Sequence, residues 1–138
     1  MSRTKLLREQ HEDLSALVLD LQAFLKSDLV VENAEVIRKN LSTLAGKLKV
    51  HLAMEDKVLY PELLNHVNSQ VSSLAQKYFT EHGGIKESFS EYSRKWAGAT
   101  TIRNQPEDFI KETTALFSVL KRRIERENGE LYKIADAL

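Results

Sequence analysis

A run of mostly apolar residues spaced three and four apart is the feature that most restricts how this chain can fold. The run occupies 71–96, and its members are Val71, Ala75, Tyr78, His82, Ile85, Phe89, Tyr92 and Trp96. Such steps place side chains on one face of an α-helix, whereas a half-buried strand alternates every second residue. The run therefore predicts an amphipathic helix with one buried stripe, and it places His82 in the middle of that stripe.

Three further segments carry the same helical periodicity. The first stripe contains Leu7, His11 and Leu14, the second contains Ile37, Leu41, Leu44, Leu48, His51, Glu55 and Val58 or Leu59, and the last contains Phe109, Thr113, Leu116, Leu120, Arg123, Glu127, Leu131 and Ile134. No segment alternates with the period of a strand over a useful length. Because four long helices joined by short loops favour antiparallel neighbours, the sequence predicts an all-α fold, an antiparallel up-down-up-down four-helix bundle.

Capping residues, prolines and glycines predict where the helices begin and end. The predicted helices are 2–26 with Ser2 or Thr4 as N-cap, 33–60 with Asn33 as N-cap and Pro61 beyond its end, 68–97 with Asn68 or Ser69 as N-cap and Gly98 beyond its end, and 106–138 with Pro106 in its first position. The segments 27–32 and 99–105 are predicted loops, and after Pro61 a short continuation over 62–67 could complete the turn. A chain of 138 residues fits one core, so 1–138 is predicted to be a single domain.

The composition narrows the functional classes. Twenty basic residues balance twenty acidic ones and no basic stripe is visible, which argues against a nucleic-acid partner. The chain has no cysteine, so any metal would be held by nitrogen and oxygen atoms. No apolar run approaches the roughly 18 residues of a membrane span, and the amino terminus has no signal-peptide core. We therefore expect no membrane partner and a cytoplasmic location.

Six polar side chains interrupt the four apolar stripes at one level of the predicted bundle. This polar layer consists of His11, His51, Glu55, His82, Arg123 and Glu127. With a rise of ~1.5 Å per residue, all six should fall within about two helical turns of one another. Burying such groups costs several kcal/mol unless something compensates them. Two compensations are open, a metal ion or pairing of Arg123 with Glu55 and Glu127, and the metal is favoured because it also explains the histidines.

Four short motifs in this order resemble the hemerythrin-like, or HHE cation-binding, family over essentially the whole chain. They are His11, the segment HLAME at 51–55 followed by LYP at 59–61, Glu81-His82, and RIERE at 123–127 followed by Leu131-Tyr132. The resemblance implies a non-haem di-iron centre in a four-helix bundle. It implies that His11 and His51 ligate one iron, that His82 ligates the other, and that Glu55 and Glu127 bridge them.

Two positions depart from the family pattern. Arg123 stands where the family has a histidine, and Lys86 stands where oxygen-carrying hemerythrins have another. An arginine keeps its charge in proteins and cannot ligate a metal. At ~4 Å a guanidinium and a divalent ion would repel by roughly 8 kcal/mol at an effective dielectric of 20. We therefore expect one metal ion in preference to two, or an empty site, and no reversible oxygen carriage by a complete di-iron pair.

The sequence leaves three functional classes open. The favoured one is a non-catalytic iron-binding module that senses or handles oxygen, nitric oxide or iron, with zinc or nickel able to replace iron during purification because later divalent metals bind more tightly. The second is a metal-free interaction bundle in which Arg123 is an internal counterion. The third is a small metalloenzyme acting on peroxide or nitrogen oxides. The sequence does not identify a protein partner.

A few other residues carry weaker predictions. His66 is predicted to lie off the polar layer, at the surface. Gly83 and Gly84 could provide a path to the site or a close helix approach, or they could be tolerated inside a continuous helix. Tyr60 and Tyr132 are predicted core residues that could also contact the ligands.

Overall fold

The computed structural model describes residues 3–138, so the predicted cap Ser2 lies outside the described part of the chain. Within residues 3–138 the chain is helical and contains no strand, which confirms the predicted all-α class. The α-helices are α1 (Lys5–Gln22), α2 (Ser27–Glu32), α3 (Ala34–Met54), α4 (Tyr60–Leu64), α5 (Ser69–His82), α6 (Ile85–Lys95), α7 (Ala99–Asn104), α8 (Pro106–Arg126) and α9 (Tyr132–Ala137). Two π-helical turns, Glu55–Leu59 and Glu127–Leu131, connect α3 to α4 and α8 to α9.

Both predicted loops are wrong, because α2 and most of the 99–105 segment are helical. Val30 of α2 and Ile102 of α7 are fully buried in the larger hydrophobic cluster, and the two short helices contact each other. A helix of six residues is marginal by itself, and packing of its apolar side chain stabilises it. Six residues are also too few to show a helical period in the sequence.

The third predicted helix is interrupted rather than continuous, because α5 ends at His82 and α6 begins at Ile85. The intervening Gly83 and Gly84 each have a low helix propensity, which costs about 1 kcal/mol relative to alanine. Both glycines keep right-handed helical dihedral angles. The apolar stripe therefore continues from Tyr78 in α5 to Ile85 in α6, although the regular hydrogen bonding is broken.

The end predicted before Pro61 is also wrong, since the chain stays helical through this proline. The N–H of Tyr60 donates to the carbonyl of Glu55, five residues back, which closes a π-helical turn. Pro61 then stands in the first turn of α4, where a missing N–H and a fixed φ are tolerated.

Some of the predicted helix starts and N-caps are confirmed and others are wrong. Pro106 is the first residue of α8, and the Asn68 side chain accepts the N–H of Gln70 at 2.9 Å. Asn33 precedes α3 without capping it, because its amide donates to the carbonyl of Leu29. The Thr4 hydroxyl makes no capping bond to α1 and instead donates to the carboxylate of Asp136.

The polar layer divides the core into two hydrophobic clusters. Along α1 the order is Leu7 in the smaller cluster, then buried His11, then Leu14 in the larger cluster. The stripe of α5 and α6 has the same order and the stripes of α3 and α8 have the reverse order, so that apolar side chains cover the layer from both sides. Among residues 3–138, no helix is both long enough and apolar enough to cross a lipid bilayer.

Candidate metal centre

Four buried side chains from three helical stretches converge at the centre of the polar layer. They are His11, His51, Glu55 and Glu127, which we call the His/Glu cluster, and none is more than 2% exposed. Each offers one ligand atom, and these four atoms all lie within 4.8 Å of one another. Two nitrogen and two oxygen donors at this separation can surround one divalent ion of the first transition row.

Several nitrogen and oxygen atoms of the His/Glu cluster lie close to one another. Glu127 Oε1 lies 3.2 Å from His11 Nε2, and Glu55 Oε1 is in close contact with His51 Nε2. His51 Nε2, both Glu55 oxygens and Glu127 Oε1 have no hydrogen-bond partner among residues 3–138. An unsatisfied buried polar group costs about 1–3 kcal/mol. A cation between these atoms would remove that cost, so the residues present fit a bound metal.

Two amide side chains orient the imidazoles toward the cluster. Gln10 Oε1 lies 2.7 Å from His51 Nδ1, and Asn128 Oδ1 lies 2.8 Å from His11 Nδ1. Amide oxygens only accept hydrogen bonds, so both Nδ1 atoms carry the proton and both Nε2 atoms present a lone pair. Metal-ligating histidines are usually fixed in this way through their second nitrogen. The sequence interpretation missed Gln10 and Asn128, although each is a neighbour in sequence of a cluster residue.

Burial sets the protonation of the groups within the cluster. The pKa of His51 is lowered to about 3, chiefly by burial and next by the neighbouring His11, while Glu127 opposes the shift and Arg123 adds to it. The imidazole of His51 is therefore neutral, which is the form that binds metals. The pKa of the Glu127 carboxyl is raised, first by burial and then by the neighbouring Glu55. A cation bound between the two carboxylates would oppose this shift by favouring their charged forms.

Arg123 lies on the opposite side of the carboxylates from the histidines. Only 5% of this residue is exposed. Its Nη2 lies 3.7 Å from Glu55 Oε2, its Nε lies 3.4 Å from Glu127 Oε2, and its Nη1 donates to the main-chain carbonyl of His82 at 3.2 Å. Burial alone would lower the pKa of Arg123, but Glu127 and Glu55 more than offset this and raise it, so the guanidinium stays charged.

Two tyrosines complete the surroundings of the cluster, as the sequence allowed. The Tyr60 hydroxyl donates to Glu127 Oε2 at 3.2 Å, and the Tyr132 hydroxyl lies 3.2 Å from His11 Nε2. Since His11 Nδ1 carries the proton, the Tyr132 hydroxyl is the donor to Nε2. Burial raises the pKa of both phenols far above neutral pH, so both keep the proton that they donate.

The side chain of His82 lies outside the His/Glu cluster, although the sequence placed it among the ligands. Its ring is half-buried and packs edge-on against Tyr78, with 5.4 Å between the ring centroids. Its Nδ1 has no hydrogen-bond partner among residues 3–138. His66 lies off the polar layer, where it is half-buried and accepts the N–H of Asn68 at 3.0 Å. Of the five predicted ligands, the structure thus brings four together.

The comparison with protein families agrees with this arrangement. The family model of the hemerythrin HHE cation binding domain matches residues 2–135 of the chain. The chain belongs to the hemerythrin HHE family. Searches of curated proteins and of solved structures gave no match. The HHE match extends over the whole polar layer, and it therefore includes Arg123 as well as the His/Glu cluster.

In this HHE domain, the two glutamates of the His/Glu cluster each stand at the first residue of a π-helical turn. Glu55 begins the turn 55–59, and Glu127 begins the turn 127–131. A π-helical turn inserts one extra residue into the helical repeat and so changes the direction of the side chains that follow it. It brings Tyr60 and Tyr132, which directly follow these turns, into contact with the cluster. Such turns occur often at functional sites.

Proposed function

We propose that this hemerythrin HHE domain binds a non-haem metal ion at the His/Glu cluster and works as a sensor or as a module that handles iron, oxygen or nitric oxide. The observation that carries the proposal is the convergence of four buried ligand atoms within 4.8 Å. Most of these atoms have no hydrogen-bond partner among residues 3–138. This is the condition expected of ligands whose partner is a metal ion.

Iron is the proposed ion, and one ion per chain is the proposed stoichiometry. Imidazole and carboxylate ligands suit iron, but they also suit zinc and nickel, which bind such sites more tightly. Bound iron would supply redox chemistry and affinity for diatomic ligands. The residues of the chain would hold the ion, fix the imidazole tautomers and exclude water with the apolar clusters on either side.

We further propose that residues 1–138 form one antiparallel up-down-up-down bundle. Hydrogen bonds between helices support this topology, because residue numbers rise in one helix as they fall in its neighbour. Thr4 bonds to Asp136 and His11 to Asn128, while Tyr78 bonds to the carbonyl of Arg126 and Tyr92 to Thr113. The first pair of bonds joins α1 to the last helices, and the second pair joins α5 and α6 to α8.

A metal-free interaction bundle is the second candidate function, and the contacts of Arg123 are what favour it. The guanidinium lies within ion-pair distance of both Glu55 and Glu127 and can serve as their counterion. This pairing does not satisfy His51 Nε2, however, which remains buried without a hydrogen-bond partner. Metal binding accounts for the imidazoles as well as the carboxylates.

The proposal is tested by the metal content of three variants and the unmodified protein after anaerobic reconstitution with ferrous iron and removal of excess iron. His51→Ala and Glu55→Ala should each lose most of the bound iron, because each removes one of four ligands. His66→Ala is the matched control, since it removes a histidine outside the polar layer, and it should bind as much iron as the unmodified chain. Equal iron content in all three variants, or no iron in the unmodified protein, would contradict the proposal.

A further inference from the structure

We propose that the guanidinium of Arg123 occupies the place of a second cation, so that the two carboxylates bridge a single metal ion and a fixed positive charge. This inference rests on the proposed metal binding and specifies its stoichiometry. It assigns to Arg123 a structural task that a second ion would otherwise perform.

The two oxygen atoms of each carboxylate point to different partners. The Oε1 atoms of Glu55 and Glu127 contact the histidine nitrogens, His51 Nε2 and His11 Nε2. The Oε2 atoms of the same carboxylates face Arg123, at 3.7 Å and 3.4 Å. An ion bound by the two Nε2 and two Oε1 atoms would therefore lie on one side of the carboxylates, with the guanidinium on the other side.

The charges of the layer agree with a single ion. One divalent ion and one guanidinium carry three positive charges against two negative carboxylates. Adding another divalent ion beside Arg123 would introduce a repulsion twice as strong as that between two unit charges at the same separation. Arg123 cannot relieve this repulsion by losing its proton, because arginine stays charged in proteins.

Arg123 is also held in position from a third direction. Its Nη1 donates to the carbonyl of His82, the last residue of α5, where the helix C-terminus carries partial negative charge. The His82 side chain packs against Tyr78 and is not one of the cluster ligands. A second ion would thus find a guanidinium in its place and no histidine from α8.

The test compares iron stoichiometry in the unmodified protein and three variants by anaerobic titration with ferrous iron and elemental analysis. Arg123→Lys keeps a positive charge and should bind one ion per chain, as should the unmodified protein. Arg123→His removes the fixed charge, supplies an imidazole and should raise the stoichiometry toward two. Arg122→His is the matched control, because it adds a histidine at the neighbouring exposed position and should leave one ion bound.

Anomalous scattering from crystals of the iron-loaded unmodified protein gives a readout that does not depend on how a variant folds. It should show one ion beside His11 and His51, with the Arg123 guanidinium still facing the Oε2 atoms. Two ions in the unmodified protein, a guanidinium turned out to solvent, or a folded Arg123→His variant that still binds one ion would overturn the inference. Those results would leave metal binding itself intact, whereas no iron in the unmodified protein would refute the proposed function and this inference with it.

Discussion

At the scale of single residues, the least obvious contributors are the two amides that hold the imidazoles. Gln10 is held in turn by its amide nitrogen, which donates to the sulfur of Met54 at 3.1 Å. Asn128 immediately follows Glu127 of the His/Glu cluster, so one stretch of chain supplies both a carboxylate and the group that fixes His11. Each amide selects the tautomer in which the lone pair on Nε2 faces the other ligands.

Removing either amide should therefore weaken metal binding without abolishing it. We expect Gln10→Ala and Asn128→Ala each to lower iron affinity by about 10- to 100-fold, the usual effect of losing such a partner. Competition with a chelator of known affinity measures this change. Gln70→Ala, at an exposed position of α5, is the control and should bind like the unmodified chain. Unchanged affinity in both amide variants would show that the imidazoles are oriented by packing alone.

The sequence predicted the polar layer at residue resolution but missed these amides, for a physical reason. Cluster residues stand on apolar stripes, where a buried polar group is conspicuous because it is costly. Gln10 and Asn128 stand one position away from a stripe, where polar residues are ordinary. The position of the His82 side chain could not be foreseen either, because it depends on a helix end that the stripe does not reveal.

At the scale of helical elements, the two glycines that interrupt the third long helix, Gly83 and Gly84, differ in the space available for a side chain. A Cβ added to Gly83 would lie 3.1 Å from the carbonyl oxygen of Phe79, whereas one added to Gly84 would meet no atom within 4 Å. Both residues have right-handed helical dihedral angles. The two positions therefore offer a matched pair of substitutions.

Gly84→Ala should stabilise the protein by about 0.4–1 kcal/mol, because alanine fits the native backbone and restricts the unfolded chain. Gly83→Ala should gain less or lose stability, since its Cβ crowds the Phe79 carbonyl. Urea unfolding of both variants and the unmodified protein, without metal, measures the free energies of unfolding. A clear loss of stability in Gly84→Ala would mean that the interruption depends on glycine at this position.

The long helices were predictable as elements, and so were the starts of α5 and α8, but the interruptions and several other helix ends were not. Periodicity over 15 or more residues averages out local exceptions, which is why the stripes of α3 and α8 were identified. Local hydrogen bonding decides the rest, as the π-helical turn before Pro61 demonstrates. The short α2 and α7 depend on the tertiary burial of Val30 and Ile102, which no local pattern encodes.

At the scale of the whole molecule, two hydrophobic clusters lie on either side of the polar layer. The larger cluster contains Trp96, Phe109 and Phe117, each fully buried. The smaller one contains Tyr60 and Tyr132, which are also buried. Within the layer, Arg123 lies within ion-pair distance of both carboxylates and so compensates part of their negative charge. The fold should consequently survive removal of the metal.

We expect protein treated with a chelator to keep its helical far-UV circular dichroism and to unfold cooperatively on heating. Iron at a free concentration about 100 times its dissociation constant should then raise the free energy of unfolding by about 2.7 kcal/mol, through binding to the folded state alone. Circular dichroism melting with and without iron measures the difference. Loss of helicity on chelation would show that the two hydrophobic clusters cannot hold the fold without the ion. As a control, His51→Ala should show no stabilisation by iron.

The position of Arg123 next to the carboxylates has a consequence for the oxidation state of a bound iron. A permanent positive charge in a water-excluded layer disfavours every additional positive charge near it, because the low local dielectric screens the repulsion weakly. Ferric iron carries one more positive charge than ferrous iron, so the guanidinium penalises it more. Iron bound in this domain should therefore stay ferrous at potentials at which iron beside a neutral residue at position 123 would already be ferric.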